Sequence, residues 1–388
     1  MNSPDNENGN GSKIYFNNAA TAWPAAPGVI EAIQNSLTGM PYDPGRSTGE
    51  DVDHLMECRR LLARLLGNVD YRRIALTNCS THALNLAISG LGLKDGAHII
   101  TTVTEHNSVL RPLRHLVENN KNIRLSLVGL NRRGELDEDE YGRLLKQAPS
   151  LVVLNHASNV TGRILDAGRL FADARKVGAV TLLDASQSLG AIPVHPVKLH
   201  ADLVAFTGHK ALRGPAGTGG LYVSPELELD QVIVGGTGVS SDLAFHPKQM
   251  PMRLEAGTTN IPAFAGLAAA LRWLEKEGEE HLSRSRTLTW LLYECLGSVP
   301  GVEVFDNQPE AGRVGVVSFR VEGWDVNEAG YILDESFGIA CRTGLHCAPL
   351  IHEAIGSAPA GTIRFSVSGF NTEEEVERGI TAIRRMAA

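Results

Sequence analysis

One lysine occupies an unusual place in this sequence. Lys210 comes shortly after the apolar run at 203–206 (LVAF), in the stretch TGHK, and is followed by ALRGPAGTGG. Lysine is usually found on open surface, where its charge is hydrated. A lysine at the end of a predicted strand, before a glycine-rich stretch that cannot form a regular helix, therefore indicates chemistry. An ordinary surface lysine is the alternative, and the rest of the chain must decide between the two.

Other predicted strand ends also carry polar side chains. Ser80 and Thr81 open a helix after one strand, His106 follows the next, and Asp184 ends a later one. In parallel sheets, ligands bind at the carboxyl ends of the strands. Hydroxyl groups at a helix N-terminus suit a phosphate, and a histidine, a carboxylate and a lysine suit a charged heterocycle. Pyridoxal phosphate (PLP) needs a lysine for the covalent link, an acid for the pyridine nitrogen and a phosphate cup.

Each of these residues also has a purely structural explanation. Asp184 could cap a helix, His106 could be a hydrogen-bonded loop residue, and Ser80 with Thr81 could cap any helix. Their joint occurrence, in order, on successive strand ends favours the cofactor.

The apolar pattern predicts the elements that must position these side chains. Short runs rich in aliphatic and β-branched residues read as buried strands; they lie at 73–78, 98–103, 124–130, 150–156, 180–185, 203–208 and 219–224. Amphipathic segments between the earlier runs predict helices, so the sheet should be mostly parallel and covered on both faces. The last two runs are joined by a loop too short for a parallel crossover, which predicts an antiparallel last strand.

The alternation of predicted strands and helices ends in the last third of the chain. A long helical segment is followed by the strands in VGVVSFRV, GIACRT and GTIRFSVS and by two helices, which predicts a smaller α+β domain. We therefore expect a disordered tail at 1–12 and a large cofactor-binding domain at 13–255, whose N-terminal segment is able to pack on the small domain. The linking helix and the small domain should occupy 256–388.

Composition excludes several classes of protein. The 388 residues carry a net charge of −8 without a long run of lysine or arginine, so nucleic acid and anionic membranes are poor partners. No apolar stretch approaches the ~20 residues of a membrane-spanning helix, and the polar N-terminus does not resemble a signal peptide. Five scattered cysteines argue against a disulfide framework and predict a cytoplasmic protein. The spacing of His346, Cys347 and His352 is weak for zinc, so we expect no metal.

Eight stretches carry a specific family resemblance. They are YFNNAATAWP, TTVTEHNSVLRPL, NHASNVTG, LLDASQSLGAIPV, FTGHKALRGPAGTGGLYV, RLEAGTTNIPAFAGLAAAL, RTGLHCAPL and GTIRFSVSGFNTEEEV. In this order they resemble the class V, fold-type-I PLP enzymes, and among them the cysteine desulfurases, in the group that includes SUF-type desulfurases and selenocysteine lyases. The resemblance implies an α/β fold with a large, mostly parallel seven-stranded sheet and a smaller α+β C-terminal domain.

The same resemblance implies roles for the polar residues. Lys210 resembles the Schiff-base lysine, Asp184 the acid facing the pyridine nitrogen, Gln187 the partner of the ring hydroxyl, and His106 a residue that stacks on the ring and is able to move protons. The phosphate cup would consist of Ser80, Thr81, Thr207 and His209. Thr258 resembles a phosphate contact from a second subunit, which implies a homodimer with shared active sites.

Asn159, Arg342 and Arg364 resemble the residues that bind the substrate α-carboxylate in that family. The chemistry agrees, since an arginine fork binds carboxylates bidentately. Alternation in TIRFS places Arg364 opposite Ile363 and Phe365. This pattern predicts a position outside the apolar core and leaves a solvent-exposed salt bridge open as the alternative role.

Cys347 decides the function that the resemblance implies. Its thiolate would attack the sulfur of a substrate cysteine, which leaves a persulfide on the enzyme and releases alanine. A free thiol has a pKa of ~8.5, and we expect Arg342, His346 and the cationic cofactor environment to raise the thiolate fraction. A buried structural cysteine is the alternative, but the flanking glycine and proline favour a shaped loop. We expect the other cysteines to be structural; they are Cys58, Cys79, Cys295 and Cys341.

The expected function is thus a PLP-dependent L-cysteine desulfurase that supplies sulfur, through an acceptor protein, for iron–sulfur clusters, thiolated cofactors or selenium handling. A selenocysteine lyase, or another class V aminotransferase or lyase in which Cys347 is not the nucleophile, is the alternative. A non-enzymatic scaffold that keeps the fold is a third. His82 and Leu345 depart from the residues common in better-known desulfurases and leave the substrate open.

Overall fold

The computed structural model describes residues 13–39, 53–238, 242–305 and 312–388. The disordered tail predicted for residues 1–12 lies outside the described residues. The strands are β1 (Ile14–Tyr15), β2 (Ile74–Thr77), β3 (His98–Thr102), β4 (Arg124–Val128), β5 (Leu151–Asn155), β6 (Val180–Asp184), β7 (Leu203–Thr207), β8 (Gly219–Val223), β9 (Val302–Phe305), β10 (Val317–Val321), β11 (Ile339–Ala340), β12 (Arg342–Gly344) and β13 (Thr362–Phe365).

The helices alternate with the first strands and then dominate the C-terminal part. They are α1 (Val29–Thr38), α2 (His54–Leu65), α3 (Ser80–Gly90), α4 (Asn107–Asn119), α5 (Glu138–Leu145), α6 (Ala167–Lys176), α7 (Ile261–Gly297), α8 (Val326–Phe337), α9 (Pro349–Ala354) and α10 (Glu373–Met386). Most begin at a side chain that accepts a hydrogen bond from a first-turn N–H group, as N-caps do. The capping residues are Asp53, His106, Asp137, Asp166, Asn260, Asp325 and Thr372.

The central sheet has seven strands in the order β2-β8-β7-β6-β5-β3-β4. β3 to β7 run parallel, whereas β8 is antiparallel to both of its neighbours, β7 and β2. Both sequence predictions, a mostly parallel sheet and an antiparallel last strand, are confirmed. The physical reason is the connection length, because only a short loop joins β7 to β8, whereas helices link β3 to β4, β4 to β5 and β5 to β6, and a longer connection over 185–202 links β6 to β7.

Helices cover both faces of this sheet, which explains why its strands are nearly continuous apolar runs. One face packs Leu62, Phe171 and Leu267 against the sheet. The other face packs Leu84 and Val109 against it. The polar ends of the strands are therefore the positions at which a ligand can reach the sheet.

A second sheet, β12-β13-β10-β9, is antiparallel and lies in the C-terminal part. The N-terminal segment joins this region, since β1 pairs in parallel with β11 and Phe16 packs on Phe365 at 5.1 Å between ring centroids. Helix α7 connects the two regions over 37 residues. Its first half packs on the large sheet through Leu267, and its second half packs in the small core through Leu292. No helix among the described residues is long and apolar enough to cross a bilayer.

Two glycines in helix interiors allow a direct test of this packing. At a helix position with room for a Cβ atom, Gly→Ala stabilises the folded protein by ~0.5–1 kcal/mol because alanine has the higher helix propensity. A Cβ at Gly142 in α5 would meet no heavy atom within 4 Å, whereas a Cβ at Gly379 in α10 would lie 2.7 Å from Cε2 of Phe16. We therefore expect G142A to stabilise the protein and G379A to destabilise it by ~1–3 kcal/mol.

The measurement is urea unfolding of the two variants and the parent, with G142A as the control for helix propensity. A G379A variant as stable as G142A would show that the N-terminal segment does not pack against α10 as described.

Candidate active site

A cavity of about 210 Å³ opens at the carboxyl ends of the central strands. It brings together most of the side chains singled out in the sequence, from both parts of the chain. The predicted residues that line it are Ser80, Thr81, His106, Asn159, Asp184, Gln187, Thr207, His209, Lys210, Arg342 and Arg364. Two predicted residues lie elsewhere: Cys347 lines an adjoining cavity and Thr258 a separate one.

One end of the cavity is suited to an anion. Helix α3 begins at Ser80, and no side chain accepts a hydrogen bond from its first turn. Its first-turn N–H groups therefore remain available to an anion in the cavity. Thr207 Oγ1 and His209 Nδ1 lie 2.9 Å apart at the end of β7. The hydroxyl groups and the positive end of the helix dipole form a cup for a phosphate.

Asp184 and Lys210 occupy the middle of the cavity. Asp184 Oδ1 accepts hydrogen bonds from the backbone N–H and the hydroxyl of Ser186, which fixes the carboxylate at the end of β6. Burial lowers the pKa of Lys210 to about 8, although the nearby Asp184 charge opposes this shift. A useful fraction of the Lys210 amine is therefore neutral near pH 7, as a nucleophilic amine must be.

His106 has two functions in one side chain. Its Nδ1 accepts the backbone N–H of Ser108 at 3.0 Å and so caps helix α4. This bond requires the neutral tautomer with its proton on Nε2. Burial and the Lys210 charge lower the pKa of His106 to about 4, so at neutral pH it presents an N–H donor and not a cation.

Arg364 corrects a sequence expectation. The alternation in TIRFS predicted a position outside the core, with a solvent salt bridge as the alternative, but Arg364 is 0% exposed. The polar face of β13 is covered by the N-terminal segment and the loop after β5, which a strand pattern cannot reveal. Its Nη1 donates to the carbonyl of Asn159 at 2.9 Å, its Nη2 to Asn17 Oδ1 at 3.3 Å, and its Nε has no partner within the described part of the chain.

Arg342 pairs with Arg364 across β12 and β13. Burial, and next the charge of Arg342, lower the pKa of Arg364 to about 9. Neither arginine forms an ion pair with a carboxylate of the described residues. Two adjacent guanidinium groups without a carboxylate fit an incoming carboxylate.

The Cys347 thiol is exposed and lies 3.2 Å from Arg342 Nη2. Its loop is unusual, because His346 and Cys347 both have left-handed φ angles, 48° and 60°. Such angles cost non-glycine residues roughly 1–2 kcal/mol each. The loop is held by two bonds from the large sheet's side: Asn159 Nδ2 donates to the carbonyl of His346 at 2.7 Å, and the Asn107 N–H donates to the carbonyl of Cys347 at 2.8 Å.

The expectation that His346 helps to raise the thiolate fraction of Cys347 is wrong. Burial lowers its pKa to about 2, with further lowering by Arg364. The ring is neutral and its Nε2 lies 2.9 Å from Thr362 Oγ1. His346 therefore anchors the loop, and Arg342 is the cation that contacts the sulfur.

A family model described as aminotransferase class-V matches residues 14–378. The chain belongs to the class-V aminotransferase family.

Members of this family named cysteine desulfurase align with nearly the whole chain. A probable cysteine desulfurase of Methanothermobacter thermautotrophicus is 31% identical over 94% of this chain and 92% of its own length. The cysteine desulfurase CsdA of Escherichia coli is 31% identical over 96% and 93%. The apo structure of the cysteine desulfurase from Thermococcus onnurineus superposes with a TM-score of 0.90 at 32% identity, covering 97% of this chain and 94% of that one.

The cavity of this class-V family member fits PLP by the chemistry of its donors. Ser80, Thr81, Thr207 and His209 offer donors for a phosphate, and Lys210 offers an amine for an aldehyde. Asp184 offers Oδ2, which has no hydrogen-bond partner in the described ranges, for a pyridinium N–H.

Sequence reasoning gave no role to Glu105. β3 and β5 pair only at Ile99–Leu151 and Ile100–Val152 and then separate. Beyond that point, Glu105 Oε1 accepts the backbone N–H of Asn155 at 2.9 Å and the Thr102 hydroxyl at 3.0 Å. The Glu105 carboxyl group thus accepts the backbone hydrogen bond of Asn155 at a point where β3 no longer pairs with β5.

Burial raises the pKa of Glu105 to about 8, and the Asp184 charge raises it further against the opposing hydrogen bonds. It is therefore mostly a neutral acid at pH 7. An acidic residue directly before the strand-end histidine was the sequence signal that could have drawn attention to it.

The accessibility of the thiols gives a prediction. All five cysteines are free, but burial raises the pKa of Cys58 far above its usual range and that of Cys341 to about 12. Since alkylation requires an accessible thiolate, we expect iodoacetamide to modify Cys347 at least tenfold faster than Cys58 or Cys341. Peptide mass spectrometry of a time course measures the order, with C347S as the control. Early labelling of Cys58 would contradict the described core.

Proposed function

We propose that this protein is a PLP-dependent L-cysteine desulfurase that converts cysteine to alanine and carries the removed sulfur as a persulfide on Cys347. The observation that carries this proposal is the exposed Cys347 thiol beside Arg342, at the edge of the cavity that contains Lys210. The family and the names of the relatives agree with it.

Different residues of the cavity would bind different parts of the cofactor. The hydroxyls of Ser80 and Thr81 and the side chains at the end of β7 would bind the phosphate, and Lys210 would form the covalent link. Asp184 would keep the ring nitrogen protonated, Gln187 would face the ring hydroxyl and His106 would cover the ring. When bound, PLP supplies an electron sink that weakens bonds at the substrate's α- and β-carbons.

Arg342 and Arg364 would bind the substrate α-carboxylate. The Arg364 charge is already desolvated in the folded protein and Arg342 is half-buried beside it, so a bidentate contact requires little further ordering. Asn159 contributes indirectly, because its amide donates to His346 and its carbonyl accepts from Arg364. It ties the carboxylate site to the loop of the nucleophile.

Protons at the substrate carbons would be moved by Lys210, with His106 as a hydrogen-bond donor beside it. The Lys210 amine has a pKa of about 8 and is able both to accept and to return a proton near neutral pH. His106 presents a neutral Nε2–H, since its Nδ1 is used by the cap of α4. It would donate a hydrogen bond without adding a cation to the cavity.

The sulfur step would use the Cys347 thiolate as nucleophile. It attacks the substrate sulfur, an S–S bond forms and the substrate C–S bond breaks. The electron pair of that bond stays with the substrate carbon, which takes up protons to give alanine. Arg342 stabilises the attacking thiolate by its charge at 3.2 Å.

Two substitutions test this division of roles. We expect C347A to retain the cofactor but to lose cysteine-dependent sulfur release by at least a hundredfold, because the acceptor of sulfur is gone. We expect K210A to lose both the covalent cofactor adduct and turnover. Alanine and sulfide are measured together with the mass of the borohydride-reduced protein.

C295A, which removes a half-buried thiol from helix α7, is the matched control and should retain activity. If C347A still formed alanine from cysteine at the parental rate, the alternative of a lyase in which Cys347 is not the nucleophile would replace the desulfurase.

The proposal includes a homodimer with shared active sites. Thr258 is exposed and lines a cavity with Thr77, Asn78 and His82, away from the Lys210 cavity of its own chain. The preceding segment exposes an unusual set of apolar side chains, which suit a protein interface. They are Ile233, Val234, Leu243 and Phe245, at 45%, 65%, 54% and 85% exposure.

Complementation between two inactive variants tests the shared site. T258E places a negative charge where a phosphate contact is expected, and K210A removes the amine. If Thr258 serves the partner's site, a mixed dimer regains one intact site, so an equimolar mixture after subunit exchange should recover about one quarter of parental activity. If Thr258 acts within its own chain, no mixed dimer has an intact site and activity stays absent.

Sulfur delivery toward iron–sulfur clusters and a cytoplasmic location complete the proposal. The location is supported by the five unpaired thiols, which suit a reducing compartment.

A further inference from the structure

A second cavity, of about 430 Å³, lies beside Cys347 and has no role in the reaction described above. Helix α4 forms one wall, and the cavity shares Thr81, His106 and Ser108 with the cofactor cavity. A molecule in this second cavity could therefore reach the Cys347 sulfur while the cofactor cavity is filled. We call it the acceptor cavity.

The acceptor cavity has a positive character in a chain of net charge −8. Arg111 and His115 lie one turn apart on α4 and line it, and no aspartate or glutamate contributes to its lining among the described residues. Arg111 is exposed and has no ion pair or hydrogen bond in the described part of the chain. Arg342, which lines the cofactor cavity, adds a charge 3.2 Å from the Cys347 sulfur.

We propose that the acceptor cavity binds a low-molecular-mass thiol that carries a carboxylate or sulfonate, with Arg111 holding the anionic group while the thiol takes sulfur from Cys347. The inference rests on the proposed function, since it concerns the fate of the persulfide. The volume lies in the ~300–1,000 Å³ range of small-molecule sites, and the charge is complementary to an anion. A protein acceptor is the competing possibility that the test must separate.

The transfer step needs no further oxidant or reductant. The acceptor thiolate attacks the outer sulfur of the Cys347 persulfide and forms a new S–S bond. The bond between the outer sulfur and Cys347 Sγ breaks, and its electron pair leaves on Cys347 as a thiolate beside Arg342. The proton of the persulfide remains on the transferred sulfur, so the product is the persulfide of the acceptor.

The first measurement follows loss of sulfur from Cys347 in holoenzyme preloaded with cysteine and freed of excess substrate. The probes are 2-mercaptoethanesulfonate, which is anionic, and 2-mercaptoethanol, which is neutral, each corrected for its rate with a small-molecule persulfide. Arg111→Gln is compared with Arg114→Gln, a matched control because Arg114 is exposed on the same helix but does not line the cavity.

We expect R111Q to slow transfer to the sulfonate about three- to tenfold, in a salt-dependent manner, and to leave the neutral thiol unchanged. R114Q should change either rate less than twofold, and alanine formation in the first turnover should be unchanged in both variants. Equal effects of R111Q and R114Q on the rate of transfer to the sulfonate would contradict the proposed anion site. Slow transfer from the parent protein to both thiols would overturn it in favour of a protein acceptor.

The second measurement needs no persulfide and separates this inference from the proposed function. Cys347 of the parent is alkylated with anionic iodoacetate and neutral iodoacetamide, and R111Q should selectively lower the iodoacetate rate. If no persulfide forms on loading but this selectivity is found, the desulfurase function fails and the anion site stands. If alkylation shows no dependence on Arg111, the anion site fails whatever the persulfide result.

Discussion

Unpaired positive charge in a largely desolvated cavity is the constraint on which this molecule depends. Arg364 is fully buried, Arg342 lies beside it on the adjacent strand, and Lys210 faces both from the large sheet. Burial, and after it the charges of the neighbouring arginines, lower the pKa values of Lys210 and Arg364. A cavity with this charge favours a phosphate, a carboxylate and a thiolate over their neutral forms.

Neutral hydrogen-bonding groups surround these cations. Burial keeps the histidines at 106 and 346 unprotonated, and Glu105 is mostly protonated. Each would otherwise add a charge at a place where it could not be hydrated. Instead, His106 caps α4, His346 anchors the nucleophile's loop and Glu105 bridges the gap between β3 and β5. The charged side chains of the site are thus the ones that would contact the ligands.

The site also depends on contact between the two parts of the chain. Asn159 and Asn107, on the large sheet's side, hold the carbonyls of His346 and Cys347 in the C-terminal part. Asn17, next to β1, contacts Arg364. Because the left-handed backbone of the loop is unfavourable by itself, these bonds are needed to keep the thiol at the mouth of the cavity.

The sequence by itself determined the strands, their mostly parallel arrangement and the residues at their ends. Burial on both faces leaves apolar runs, and short or long connections set strand direction, so Lys210, Asp184 and His106 could be recognised as neighbours. Only the tertiary structure decided which charges are hydrated. Arg364 was expected outside the core and is buried, His346 was expected to raise the thiolate fraction of Cys347 and instead anchors the loop as a neutral ring, and Glu105 received no role. Hydration of a side chain depends on elements distant in the chain that pack over it, and no local pattern records that packing.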